Sequence, residues 1–416
     1  MHLGQSREGN LKTLFIIVKM PTVCLYLHVH QPWRIKRYRH SAIGKDSTYF
    51  SDEGDFDTNN EKMLLKVAEK SYKPTNRVLL ELVRDYPEFR LGISITGTAI
   101  EQLERFSPET LELFCRLVDT GKVEILAETY HHSLAFFYSL EEFERQVELH
   151  RQKVKKIFGV GPRVFRNTEL AYNNELGLWA DKKGYLAILT EGWDKVLEWR
   201  SPNFVYSPKG AKKAKLLLKN YMLSDDIAFR FSQKTWEGWP LTAEKLSGWV
   251  SALNGNGEVV NLFMDYETFG EHQWEDTGIF SFLRALPGEI LKHPDNNFKT
   301  PAEVAEHHAS RGELDVPHVI TWADTERDLS AWTGNAIQQD ALSQLFSLED
   351  KVYKTKRRDL IENWRKLTTS DHFYYMCTKW FNDGDVHAYF NPYESPYDAF
   401  RYFMNVLADL KLRVDA

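Results

Sequence analysis

Residues Val23–Trp33 read VCLYLHVHQPW, an apolar run that passes directly into two imidazoles, an amide, a proline and an indole. The same sequence of events recurs along the chain. Candidate strands at Val23–Val29, Leu91–Thr96, Val123–Ala127, Val164–Arg166, Tyr185–Thr190, Lys219–Leu223, Val259–Met264 and Pro317–Thr321 alternate with longer helix-like segments, among them Ser107–Asp119, Ser139–Phe158 and Asn174–Lys183. Ser139 with Glu142 reads as a capping box opening its helix, and Gly159 as the residue that closes it. Strand–helix alternation argues for a parallel sheet with right-handed crossovers. Seven or eight such units predict a closed or nearly closed (β/α) barrel. No Gly-x-Gly-x-x-Gly follows a strand, which removes the main support for a dinucleotide-binding fold. Beyond Asn335 the strand signals fade, and Ala336–Leu348, Val352–Thr368 and Ser395–Val414 read as helices. The expected division is a leader or mis-assigned start over residues 1–19, a barrel over 20–335 and a docked helical region over 336–416.

Where the polar residues fall carries the functional signal. The first strand ends in His28, His30, Gln31 and Trp33, and the third in Glu128, His131 and His132. The fourth ends in Asn167-Thr168-Glu169, the fifth in Glu191, Trp193 and Asp194, and the sixth in Ser224-Asp225-Asp226. The seventh ends in Asp265, Glu267 and His272, and the eighth in Trp322 and Asp324. In a parallel barrel all C-terminal strand ends share one face, and that face holds the active site. Plain turns would be rich in Gly, Asn and Ser instead. Glycosidic cleavage needs one carboxyl to donate a proton and a second to attack or to activate water, from opposite sides of the bond. Ends of different strands satisfy this, and geometry alone leaves Glu169, Asp265, Glu128, Asp225 and Asp226 all eligible.

Composition excludes several other classes. The net charge of −6 comes with no long block of like charge, so a nucleic-acid partner is not expected. The densest basic stretch, Lys351–Arg358, reads as a solvated helix face. Three scattered cysteines, Cys24, Cys115 and Cys377, form no pairwise motif, which suits a reducing, cytoplasmic setting and argues against a thiolate zinc site. No apolar run approaches the roughly 18 residues of a membrane span, so no membrane partner is expected. The apolar stretch Leu14–Val18 is too short for a signal-peptide core.

Five stretches in order resemble the motifs of glycoside hydrolase family 57: His30-Gln31-Pro32; Gly121–Ile125; Glu169 within Arg166–Leu170; Met264–Gly270; and Asp328–Asn335. The agreement runs from about Met20 onward. The resemblance implies an incomplete (β/α)7 TIM-like barrel followed by a helical bundle, α-glucan or maltooligosaccharide substrates, and a retaining double displacement without cofactor or metal. It assigns Glu169 as nucleophile and Asp265 as general acid/base, and points to the shorter α-amylase-type members. In that mechanism Asp265 needs a raised pKa, from burial and from the charge of Glu169. His28, His30, His131 and His132 are then expected to bind sugar hydroxyls and steady the nucleophile. Trp33, Trp193, Trp322 and Trp332 become candidate stacking platforms, and Asp225, Glu267 and Asp328 candidate hydroxyl-orienting groups. His387, within Asp385–Tyr393, is expected to close one side of the groove.

Other readings share the same residues. Hydrolysis and 4-α-glucanotransfer use the same two carboxyls and the same intermediate. A metal-dependent, amidohydrolase-like barrel is the rival from another class, because His28 and His30 one residue apart suit zinc. A non-catalytic carbohydrate-binding protein is a third, and both carboxyls being present argues against it.

Overall fold

Seven parallel strands form the frame: β1 (Thr22–Val29), β2 (Leu91–Ile95), β3 (Val123–Ile125), β4 (Val164–Arg166), β5 (Ala187–Glu191), β6 (Lys215–Lys219) and β7 (Val259–Asp265). They are seen in a computed structural model that describes residues 21–50, 55–379 and 386–416. One sheet runs β3-β2-β1-β7 and the other β4-β5-β6. Two seams join them. At one, the Ala127 amide donates to the Val164 carbonyl (2.9 Å) and the Arg166 amide to the Ala127 carbonyl (2.8 Å). At the other, the Asn220 amide donates to the Asn261 carbonyl and the Asn261 side chain to the Leu218 carbonyl. Neighbours therefore follow chain order from β1 to β7 and return to β1, as in a barrel.

The two-residue period of a strand sorts side chains to the two faces of this wall. Val23, Leu25, Leu27 and Val29 point outward into the largest core, against the helices. Cys24 and Tyr26 point inward and meet Leu126, Val164, Leu189, Leu217 and Phe263. The barrel is thus a packed core and not a pore. Helix Pro301–His307 stoppers the end where the strands begin. Its Ala302 amide donates to the half-buried Glu124 carboxyl at 2.8 Å. Gly92 of β2 lies so near that a Cβ there would come within 2.8 Å of Pro301.

Two expected strands shift. The sixth lies at Lys215–Lys219, because Asn220 caps a helix over Tyr221–Ala228 by accepting from the Leu223 amide. Asp225 and Asp226 consequently sit on a helix and not at a strand end. Pro317–Thr321 forms no strand; Ile320 makes only an isolated antiparallel bridge to Tyr172. The helix Leu140–Phe158 is capped by Ser139 and closed by Gly159 at φ 71°. The reciprocal half of the capping box is absent, because the Glu142 carboxylate is engaged elsewhere, by Arg365 (3.0 Å), Tyr353 (2.5 Å) and Gln146 (3.1 Å).

That diversion ties the barrel to the C-terminal helices, which include Ala336–Ser347, Arg358–Leu367 and Pro396–Asp415. They build a second core from Trp332, Leu345, Trp364, Phe403 and Leu410, into which Trp33, Ile35, Tyr38 and Tyr49 also pack. No helix among the described residues is long and apolar enough to cross a membrane. Residues 1–19 lie outside the described residues.

Candidate active site

The inward-facing positions turn polar at the C-terminal end of the strands. His28 on β1 lies in ladder register with Asp265 on β7 and Ser94 on β2. Glu128 follows β3, Arg166 ends β4, Glu191 ends β5 and Lys219 ends β6, and each of these four is at most 4% exposed. Such a ring of charge persists in a protein interior only when every member is paired or hydrogen-bonded.

A continuous chain of contacts runs from Asp265 to Glu169. His28 Nδ1 is 3.6 Å from Asp265 Oδ1, and its Nε2 is 3.2 Å from Glu128 Oε2. The same Glu128 oxygen lies 3.8 Å from His132 Nδ1, and His132 Nε2 is 2.9 Å from Glu169 Oε1. The rings of His28 and His132 stack with centroids 5.0 Å apart. His30 lies 4.0 Å from His132 ring to ring and bonds Asp371 at 2.9 Å and Thr96 at 2.9 Å. Glu169 also accepts from the Trp322 indole (2.8 Å, on Oε2) and the Ser370 hydroxyl (3.3 Å, on Oε1). The Glu169 side chain is 17% exposed and that of Asp265 40%, so the second carboxyl is the more open to solvent.

Backbone strain gathers at the same place. Among the described residues seven non-glycine positions have positive φ, and His132, Glu169, Leu170, Asp324 and Arg327 are five of them. Each costs on the order of 1–3 kcal/mol and persists only where the surroundings over-determine it.

Electrostatics set the protonation states. Burial opposes charge on Glu169, but His132 and Arg166 outweigh it and hold the carboxyl below its usual range. Burial likewise opposes charge on Glu128, yet His28, His132 and His150 keep it well below. Burial and Arg166 disfavour the charged His132 ring, while Glu128 and Glu169 raise it to about 9. Asp265 runs against expectation. Burial pushes it up, but His28, His272 and Arg166 leave it lowered overall. Its neighbour Glu267 goes the other way, to about 8, from burial and the Asp265 charge.

The remaining expected site residues divide. Trp322 and His30 enter the site. Glu267 lies beside it, bonded to Tyr72 and Gln31. Trp33 (4% exposed) and Trp332 (1%) are core residues of the second cluster and cannot present a face to a sugar. His131 is buried against Tyr130 and holds a lowered pKa from burial, Arg365 and Lys366, so it faces the C-terminal region. Trp193 is half-buried beneath the Lys195 ammonium. Asp225 pairs with Lys219 at 2.8 Å. The exposed Asp328 accepts from the Ser330 amide, closing a turn. His387 pairs with Asp324 at 3.0 Å, and Asp385 lies outside the described residues. Sequence reasoning missed Arg166, Ser370 and Asp371. The polar run Thr368–Asp371 directly after a helix was the available signal for the last two.

Among the described residues, two overlapping triads could hold a divalent cation: His28, Glu128 and His132; and His30, His132 and Asp371. In each, the ligand atoms lie within 4.8 Å of one another.

Residues 24–317 match the family described as glycosyl hydrolase family 57. A Methanocaldococcus jannaschii protein provisionally named an alpha-amylase is 44% identical over 395 residues, 92% of this chain and 82% of that one. A 4-alpha-glucanotransferase of Thermococcus litoralis is 23% identical over 270 residues, 64% of this chain and 40% of that one. Among solved structures, a family 57-type branching enzyme of Pyrococcus horikoshii aligns with a TM-score of 0.66 at 17% identity, over 89% of this chain and 87% of that one.

Proposed function

Because the chain belongs to glycosyl hydrolase family 57, we propose that it cleaves or transfers α-glucans by a retaining double displacement, with Glu169 as nucleophile and Asp265 as acid/base. The observation that carries this reading is the unbroken path Asp265–His28–Glu128–His132–Glu169 across one barrel mouth. Glu169 is held anionic by three donors, as an attacking carboxylate requires. It attacks the anomeric carbon, and Asp265 gives its proton to the leaving oxygen. Water or a sugar hydroxyl then loses its proton to Asp265 and releases the glycosyl group.

Asp265 must first gain a proton, which its lowered pKa resists. A bound glucan covers this 40%-exposed side chain, and removing water from a carboxyl raises its pKa. Substrate binding therefore supplies the shift that the resting site lacks.

The test uses maltoheptaose and amylose, with products resolved by chain length and anomers followed by NMR. Products keeping the α configuration are expected. Only shorter chains mean hydrolysis, and chains longer than the input mean transfer. Glu169→Ala should abolish turnover, and Asp265→Ala should reduce it by about 10²–10⁴-fold. An inverted product, or no change in either sugar, sinks the reading.

The overlapping His–carboxylate triads favour a second reading, a metal-assisted hydrolase with His132 shared between ligand sets. Zinc bound stoichiometrically and activity lost in chelator would support it over the first.

A further inference from the structure

We propose that Trp322 is a positioning residue of the nucleophile: its indole N–H, and not its ring face, is what the reaction uses. This rests on the role given above to Glu169. The indole nitrogen donates to Glu169 Oε2 at 2.8 Å, and the Trp322 backbone amide donates to the Glu169 carbonyl at 3.3 Å. One residue thus grips both ends of a glutamate that sits at φ 59°, where a side-chain-bearing residue is strained.

The ring is occupied by the protein. The Arg166 guanidinium lies 5.1 Å from its centroid and the Lys219 ammonium 5.4 Å. Both cations are buried and belong to the inward charged ring. Cations near an indole face are bound by its negative quadrupole, and they draw electron density from it, which makes its N–H a stronger donor. A stacked sugar would have to compete with these cations.

The loop that carries Trp322 is fastened on both flanks. Arg327 bonds Glu191 at 2.6 Å, and the Thr321 amide donates to the Arg327 carbonyl. Asp324, at φ 54°, is clasped by His387 (3.0 Å) and Lys379 (3.3 Å) from the C-terminal region. His387 is itself stacked on Tyr374 with centroids 4.3 Å apart. His387 therefore serves the site at one remove, by holding the Trp322 loop.

Trp322→Phe keeps an aromatic ring beside the two cations and deletes the donor. Losing a hydrogen bond to a charged group should lower kcat by roughly 10–100-fold, with KM little changed. The acidic limb of the pH profile should move to higher pH, because the Glu169 anion loses a donor. Asp324→Asn, which leaves Trp322 intact and loosens its loop, should shift kcat and the limb in the same direction by less, and it serves if Trp322→Phe does not fold. Glu169→Ala is assayed alongside. If that variant keeps full turnover, the role of Glu169 has failed and this one with it. If Glu169→Ala is inactive while the folded Trp322→Phe protein keeps the wild-type kcat and limb, positioning alone is overturned. A raised KM at unchanged kcat overturns it equally, by making Trp322 a stacking platform.

Discussion

Glu267 shows how a single buried carboxyl couples the site to stability. It lies against Tyr72 and Gln31, and its pKa is raised to about 8 by burial and by Asp265. The unfolded chain releases that proton near 4.5. Between these values the folded state binds a proton that the unfolded state does not, so stability falls as pH rises, by up to about 1.4 kcal/mol per unit for a single group. Below about pH 4.5 both states are protonated and the penalty vanishes. Glu267→Gln mimics the protonated form at every pH. Urea midpoints measured from pH 5 to 8 should show the wild type losing stability relative to the variant; parallel lines would refute the assignment. At this scale, the sequence announced the residue types but not their partners. Glu169, Asp265, His28, His30 and His132 are legible because each falls at the end of an apolar run or in the short polar stretch after one. Arg166 escapes because an arginine ending a strand reads as the start of a loop, although it points into the barrel wholly buried. Trp33 and Trp332 mislead because an indole in a motif looks the same whether it packs in a core or meets a ligand.

Among the elements, the loop after β7 is closely constrained. It turns at Gly270, where φ is 108° and an added Cβ would lie 2.0 Å from the Lys70 carbonyl oxygen. Lys70 belongs to a wide helical turn, Ala68–Tyr72, whose Ser71 also donates to the Tyr266 carbonyl. The same turn carries Tyr72, the partner of Glu267. Gly270→Ala should therefore cost more than about 1 kcal/mol in stability, and it should reduce turnover because the loop leads back to Asp265. Gly248, inside helix Ala243–Ser251, has nothing within 4 Å of an added Cβ. Its change to Ala should stabilise by up to about 1 kcal/mol with turnover intact. Thermal melts of the two variants that coincide would show the Gly270 contact to be soft. The elements themselves were largely legible, since six of the eight expected strands lie within a residue or two of their observed bounds. The sixth slipped because Leu216-Leu217-Leu218 and Tyr221-Met222-Leu223 are both apolar, and only the Asn220 cap between them separates strand from helix. Pro317–Thr321 failed because local apolar character cannot report the absence of a parallel partner.

Over the whole molecule, the site belongs to two cores at once. The barrel supplies His28, His132, Glu169 and Asp265, while the C-terminal helices supply Ser370 on Glu169 and Asp371 on His30. In return the chain leaving β1 sends Trp33, Ile35, Tyr38 and Tyr49 into the C-terminal core. The Glu142–Arg365 pair links the two regions where the glutamate side chain is fully buried. Breaking it with Arg365→Ala would take the nearest cation from a buried carboxylate that keeps Tyr353 and Gln146, at a cost of about 1.5–3 kcal/mol. The larger consequence expected of these shared contacts is that the barrel does not fold alone. A fragment of residues 21–335 would uncover the aromatic side of the second core and remove two hydrogen-bonding partners from the site. It should express as an aggregating or molten species that binds ANS, lacks a sharp near-UV signal and shows no turnover. Supplying residues 336–416 as a separate chain should restore both the near-UV signal and the activity, because the missing surface is returned without new covalent bonds. A barrel fragment that folds sharply and turns over glucan by itself would mean that Ser370 and Asp371 are dispensable, and that the two cores are merely neighbours.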